Sequence, residues 1–339
     1  MALPASEEAG AFGLALAAGV AAAASAVLTW LAMHYARRRG LIDHPGARRS
    51  HREATPRGGG IGIVVLALVA LSWLLWTEPA QRFLGATFAF GVAGIAAIGW
   101  LDDHSPQPVL RRLCVHIVAA VALVFALLPG APWEWLVAAT LLLVTAVNFC
   151  NFMDGINGLA ASQAALVCFI LSWAFGRIGD GAWASLAAVV GAACVGFLPF
   201  NVPRARVFLG DVASGALGFA VGALLLLAVL HKALPLAGAL LLPSAFVLDA
   251  GLTLAQRMLR GRRWYAAHRE HLYQWLVRSG RSHLEVSLMY LAWTAVAAGL
   301  AIAAPLESQP ALTVATYAAG AGFWWTMRRR LLLQRRRSR

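Results

Sequence analysis

The stretch GWLDD (99–103) ends an apolar run with two adjacent carboxylates, Asp102 and Asp103. Like charges at a membrane edge repel and lose hydration, so a cation or proton must offset them. Mg²⁺ held with a phosphate ligand would do so; the plainer reading is a solvated helix end before the HSPQP turn. FLGDVASG (208–215) sets Asp211 behind Gly210 at the start of another apolar run. There a carboxylate can cap the helix or hold a metal facing phosphate. NFCNFMDGINGLA (148–160) places Asn148, Asn151, Asp154 and Asn157 at every third residue. Amides donate and accept, so this stripe can read a base edge or a sugar hydroxyl, and its glycines admit a ligand close to the backbone. It is not an EF-hand, because no acidic residue holds the twelfth loop position. The bland alternative is a capped turn, though it needs fewer polar groups.

Two further stretches are basic. DHPGARRSHREATPRGGG (43–60) offers Arg48, His51 and Arg57 before three glycines. Arginine forks and open backbone suit phosphate oxygens, and a loop on anionic lipid is the alternative. AAHREHLYQ (266–274) sets His268 and His271 three apart, on one face of a helix. No HExxH accompanies them, so phosphate contact fits better than zinc. The competing reading is an interfacial helix burying Leu272, Tyr273 and Trp275.

These clusters must be positioned by a very apolar chain. Of 339 residues, 60% are hydrophobic and 13% charged, whereas soluble domains carry roughly 25% charged residues. The mean hydropathy is +0.70. The expectation is an all-α polytopic membrane protein forming one domain over 1–339. The net charge of +13 could suggest nucleic acid, but the charges sit in short loops between apolar runs, and no nucleic-acid partner is expected. The four cysteines form no CxxC and read as apolar helix residues. No Lys or Arg precedes Arg37, so the first apolar run reads as an uncleaved span.

With about 20 apolar residues per crossing, the runs predict about eleven transmembrane helices. They lie near 11–34, 60–77, 83–101, 110–129, 133–149, 157–176, 182–199, 212–231, 234–255, 284–304 and 311–327. Alternate connections then hold 25 of the 28 Lys and Arg residues. The positive-inside rule puts those connections in the cytoplasm, the N-terminus outside and the C-terminus inside. The cytoplasmic loops, about 35–59, 102–112, 148–158, 200–212 and 256–283, contain every cluster above, and a basic tail covers 328–339. Polar chemistry on one face argues against a transporter, which would expose polar groups near the midplane. A nucleotide-sugar or lipid transporter is kept as the rival, and a non-catalytic scaffold would not need four such carboxylates.

Together, in this order, the five stretches closely resemble the polyprenyl-phosphate N-acetylhexosamine-1-phosphate transferases over about residues 43–283. The resemblance implies transfer of a sugar-1-phosphate from a UDP-sugar to undecaprenyl phosphate in the bacterial inner membrane, with release of UMP and a requirement for Mg²⁺, Mn²⁺ being a substitute. It implies that Asp211 binds the metal and that Asp102 and Asp103 serve metal binding and activation of the lipid phosphate. Arg48, His51 and Arg57 fall to phosphate binding. It also implies that Asn148, Asn151 and Asp154, with Asn157, line the nucleotide site, and that His268 and His271 contact donor phosphates. Asn157 replaces an acidic residue of the family pattern, and Ala213 replaces a glycine. AAHREHLYQ lacks the triple histidine of the muramoyl-pentapeptide branch and looks more like the O-antigen branch. A homodimer is compatible with the sequence, which does not set the oligomeric state. Adjacent helical side chains point about 100° apart, so Asp102 and Asp103 are expected to divide their work, one toward metal and diphosphate, the other toward the lipid phosphate.

Overall fold

The computed structural model describes residues 5–44, 53–263 and 268–337, with side chains described between residues 12 and 334 of those ranges. Arg48 and His51 lie outside the described residues. Lipid offers the backbone no hydrogen-bond partner, so apolar runs satisfy themselves as helices. The chain forms α1 (Ala5–Arg39), then a short antiparallel pair, β1 (Ile42–Asp43) with β2 (Thr55–Pro56). After these come α2 (Ile61–Thr77), α3 (Arg82–His104), α4 (Val109–Leu127) and α5 (Trp133–Met153). Then follow α6 (Leu159–Arg177), α7 (Gly181–Phe197) and α8 (Asp211–Leu230). The β pair is the small exception to an all-α expectation. It folds the first loop back, so that Phe208 donates to the Pro56 carbonyl at 2.8 Å and Gly59 to the Phe208 carbonyl at 2.8 Å.

Eight of the described helices are long and apolar enough to cross a membrane, and α2 is a shorter apolar helix. Helical backbone occupies all eleven predicted runs, but the ninth is not the continuous span expected over 234–255. It breaks into α9 (Leu236–Leu241), α10 (Ser244–Phe246), a π turn (Val247–Gly251) and α11 (Leu252–Leu259). Pro243 stands at the break; it has no N–H to donate and its ring excludes a straight helix. Beyond it lie α12 (Leu272–Arg278), α13 (His283–Ala303) and α14 (Gln309–Arg337). The last helix runs on from the predicted span into the arginine-rich tail.

The core centres on α8, which packs against α3, α5 and α6 and is 78% buried over its most apolar window. A separate aromatic cluster, including Tyr273, Trp275, Tyr290 and Trp324, joins the broken helix, α12, α13 and α14 to the end of α5. Small residues set how closely helices approach within a bilayer, where apolar side chains gain little by leaving lipid. Gly99 shows this in α3: a Cβ there would stand 2.0 Å from the Asp211 carbonyl oxygen. The obstruction is backbone, so it cannot move aside. Gly99→Ala is therefore expected to destabilise the protein by about 1–3 kcal/mol. Gly94→Ala, earlier in the same helix, meets only Val115 at 3.9 Å and should leave the melting temperature in detergent unchanged. Equal melting temperatures for the two variants would contradict this packing.

Candidate active site

At the inner end of α3 the adjacent carboxylates diverge. Asp103 turns into the protein and is 6% exposed. Its oxygens accept the backbone N–H of Asp211 at 3.1 Å and of Val212 at 3.0 Å. Free N–H groups and the positive end of the α8 dipole stabilise a carboxylate there. Asp102 points the other way, accepting the Gln107 N–H at 2.6 Å and pairing with Arg112 at 2.9 Å. The same guanidinium lies 3.5 Å from Asp211, whose side chain keeps 30% of its exposure. Asn151 donates to Asp211 at 2.8 Å and to Ser214 at 2.9 Å. The Asp102 and Asp211 carboxylates are in hydrogen-bonding reach of each other.

Asp154 follows α5 and keeps part of its surface open while enclosed among protein atoms. Burial raises its pKa well above the usual carboxylate range, and the Asp211 and Asp103 charges add to the shift. Arg57 lies 3.9 Å from Asp43, and it lines a cavity with Gly58, Asp103 and His104. The structure thus gathers Asp102, Asp103, Asp211, Asn151, Asp154 and Arg57 in one region.

Other predicted site residues are placed differently. Asn148 turns back to donate to the Val144 carbonyl of its own helix at 2.7 Å. Asn157 is 8% exposed, gives its amide to the Pro203 carbonyl at 3.1 Å, and accepts from Ser287 at 2.8 Å through its own carbonyl. It joins loops to α13 and does not face the carboxylates. His271 is 3% exposed, with its ring 4.8 Å from His268, 5.7 Å from Tyr273 and 6.1 Å from Phe152. Half-buried His268 covers it, and its Nδ1 has no hydrogen-bond partner among the described residues. Burial, then the neighbouring His271 and Arg257, push the His268 pKa down to about 4, so the ring is neutral at pH 7. Glu270 beside it is held below the usual carboxylate range: burial pushes it up, but Arg257 and Arg262 outweigh that.

The predicted trio of metal-ligating aspartates is not assembled; among the described residues no three His, Cys, Asp or Glu side chains group as a cation site. The reason is that Asp103 is committed to α8. What remains is a hard-oxygen pair, Asp102 and Asp211, with a guanidinium already placed as their counter-charge. Mg²⁺ is commonly held by one or two carboxylates together with substrate phosphates, so the donor set fits such an ion. The sequence pattern did not single out Arg112 or Ser214. Arg112 was legible in principle, since the HSPQP turn between α3 and α4 brings a residue ten positions on back to Asp102.

The model of glycosyl transferase family 4 matches residues 85–229, which include the acidic pair, the Asn stretch and Asp211. The phospho-N-acetylmuramoyl-pentapeptide-transferase of Heliobacterium modesticaldum is 30% identical over 252 residues, covering 66% of this chain and 75% of that one. The chain belongs to glycosyl transferase family 4. Other relatives in the family match over more of the chain. The decaprenyl-phosphate N-acetylglucosaminephosphotransferase of Mycolicibacterium smegmatis is 28% identical over 327 residues, or 81% of this chain and 79% of its own. The probable undecaprenyl-phosphate N-acetylglucosaminyl 1-phosphate transferase of Bacillus subtilis is 25% identical over 283 residues, 78% of each. The histidine motif lies beyond the segment that the family 4 model covers.

Two outcomes follow from this geometry. Asp103→Asn sets an amide donor against one of the two backbone donors and should cost about 1–3 kcal/mol of stability. Asp102→Asn should melt close to wild type. Similar losses for both, measured by thermal melting in detergent, would refute the assignment. The second outcome concerns pH. The unfolded chain protonates His268 near the ordinary 6.5, while the fold resists until about 4. The unfolded state therefore binds more protons in this window, and stability falls as pH drops from 6.5 toward 4. His268→Gln should flatten that part of the melting-temperature profile.

Proposed function

We propose that the protein transfers an N-acetylhexosamine-1-phosphate, or that of a related aminosugar, from its UDP carrier to undecaprenyl phosphate. The product is a lipid-linked diphosphate sugar that starts a cell-envelope polysaccharide such as O-antigen. The observation that carries the reading is the convergence of Asp102, Arg112, Asn151 and Asp211 where α3, α4, α5 and α8 meet. The names of the relatives, two of them N-acetylglucosamine phosphate transferases and one a phospho-N-acetylmuramoyl-pentapeptide-transferase, support the reaction class. The 25-of-28 charge split supports eleven spans with the site on the cytoplasmic side of the bacterial inner membrane.

In the reaction an oxygen of the lipid phosphate attacks the sugar-bearing phosphorus of the donor. The new P–O bond forms as the bond to the bridging oxygen breaks, and UMP leaves with that oxygen and its electron pair. Both reactants are anionic, so charge neutralisation and alignment dominate. Mg²⁺ held by Asp211 and Asp102 would supply neutralisation at the diphosphate when bound. Arg112 and Arg57 contribute fixed positive charge, and neutral His268 offers its ring to a donor phosphate. Asn151 orients Asp211, and Asp154 borders the nucleotide. A cavity of about 340 Å³ between α5, α6, α8 and the broken ninth helix is apolar nearly throughout. Phe149 and Cys150 line it beside Asn151, which makes it a seat for the prenyl tail.

Sealed inverted membrane vesicles given external UDP-N-acetylglucosamine and Mg²⁺ should release UMP, and right-side-out vesicles should not. Asp211→Asn should lower turnover by on the order of 100-fold or more, as expected for loss of a charge acting in the transition state. Release from right-side-out vesicles would reverse the topology. Wild-type turnover by Asp211→Asn would end the proposed role of that residue.

A further inference from the structure

Asp249 lies where the ninth helix is broken, in the π turn, and is 2% exposed. Nothing in the catalytic geometry above uses it, yet it is the most heavily bonded carboxylate described here. It accepts the backbone N–H of Leu272 at 2.6 Å and of Tyr273 at 3.1 Å. Tyr290 Oη donates at 2.6 Å, Trp324 Nε1 at 3.2 Å and Thr253 Oγ1 at 3.3 Å. His271 Nδ1 stands 3.9 Å away. A buried carboxylate without a full cation partner survives only if donors replace its lost hydration. Here α11, α13 and α14 each supply one, and the start of α12 supplies two.

What this arrangement holds is the segment that begins with the histidines. Leu272 and Tyr273 directly follow His271, so their N–H groups fix the register of His268–Tyr273. Tyr273 in turn donates to the Phe152 carbonyl at 2.9 Å. A Cβ on Gly155 would stand 2.0 Å from Tyr273 Oη. The histidine segment is therefore seated on the Asn-rich stretch through Tyr273, and Tyr273 is seated through Asp249. The Asp102–Asp211 end has a different support, because Asp103 holds it.

We infer that Asp249 is a positioning residue for the nucleotide-sugar: it holds His268 and Tyr273 against residues 152–155 and so sets affinity for the donor, not for the lipid. This rests on the transferase reading above. Removing one donor to a buried charged acceptor changes an equilibrium by about tenfold. Tyr290→Phe and Trp324→Phe should each raise the KM for the UDP-sugar by about that factor, while kcat and the KM for the lipid phosphate stay within about twofold. Both KM values rising alike, or a donor KM that does not move, would overturn the inference. Hydrogen exchange reads the same contact without turnover. In Asp249→Asn, or in Tyr290→Phe should that variant not fold, the Leu272 and Tyr273 amides should lose protection while those of Asp211 and Val212 keep it. Unchanged protection at Leu272 and Tyr273 would also overturn the inference. A wild-type protein with no UMP release would remove the transferase reading and with it the donor-affinity assignment, whereas the exchange result would still decide whether Asp249 holds the segment.

Discussion

The site depends on one buried contact, the Asp103 carboxylate against the first N–H groups of α8. Burying a carboxylate at the edge of a membrane is costly, and two backbone donors with the helix dipole offset that cost. The absence of a side chain at Gly99 lets the Asp211 backbone approach α3 closely enough for the bond to form. With Asp103 locked, its neighbour must project about 100° around the helix from it. That geometry puts Asp102 beside Arg112 and leaves Asp211 partly open next to both. A pair that looks symmetrical in the chain becomes one buried fastener and one carboxylate paired with an arginine.

The same solution recurs at Asp249, where a second buried carboxylate meets the N–H groups of a second helix. Backbone donors at a helix start carry partial charge and no flexible stem, so they hold a carboxylate with little loss of side-chain entropy. Arginines supply the counter-charges elsewhere, and Arg257 and Arg328 are themselves buried. Arg112 spans Asp102 and Asp211, and Arg257, Arg262 and Arg328 surround Glu270. Fixed positive charge beside these carboxylates suits the proposed transfer between anionic reactants.

The apolar body serves the site by bringing distant loops together. Central α8 is buried by α3, α5 and α6, so the ends of α3, α5 and α8 are fixed relative to one another. The break at Pro243 bends the ninth helix and opens the apolar cavity beside Phe149, and it also delivers Asp249 to the base of α12.

The apolar runs, the loop charges and the order of the motifs belong to the sequence alone, because lipid imposes a length and a composition on each crossing that no packing detail can override. From them the helical membrane class was legible, as was the family. Residue types with obvious chemistry were legible too: Asp102, Asp103, Asp211, Asn151 and Asp154 were singled out and do converge. Their separate placements were decided by tertiary structure. The turn after α3 gives Asp102 its partners, but the burial of Asp103 arises from a helix start that lies 108 residues away in the chain. Asn157 and His271 carried the right chemistry in the right pattern, yet packing against Pro203, Ser287 and Phe152 turned them into supports. Asp249 was visible as a charge within an apolar run, but its role depends on donors from four separate segments, and which donors meet a buried carboxylate is set only when the helices pack.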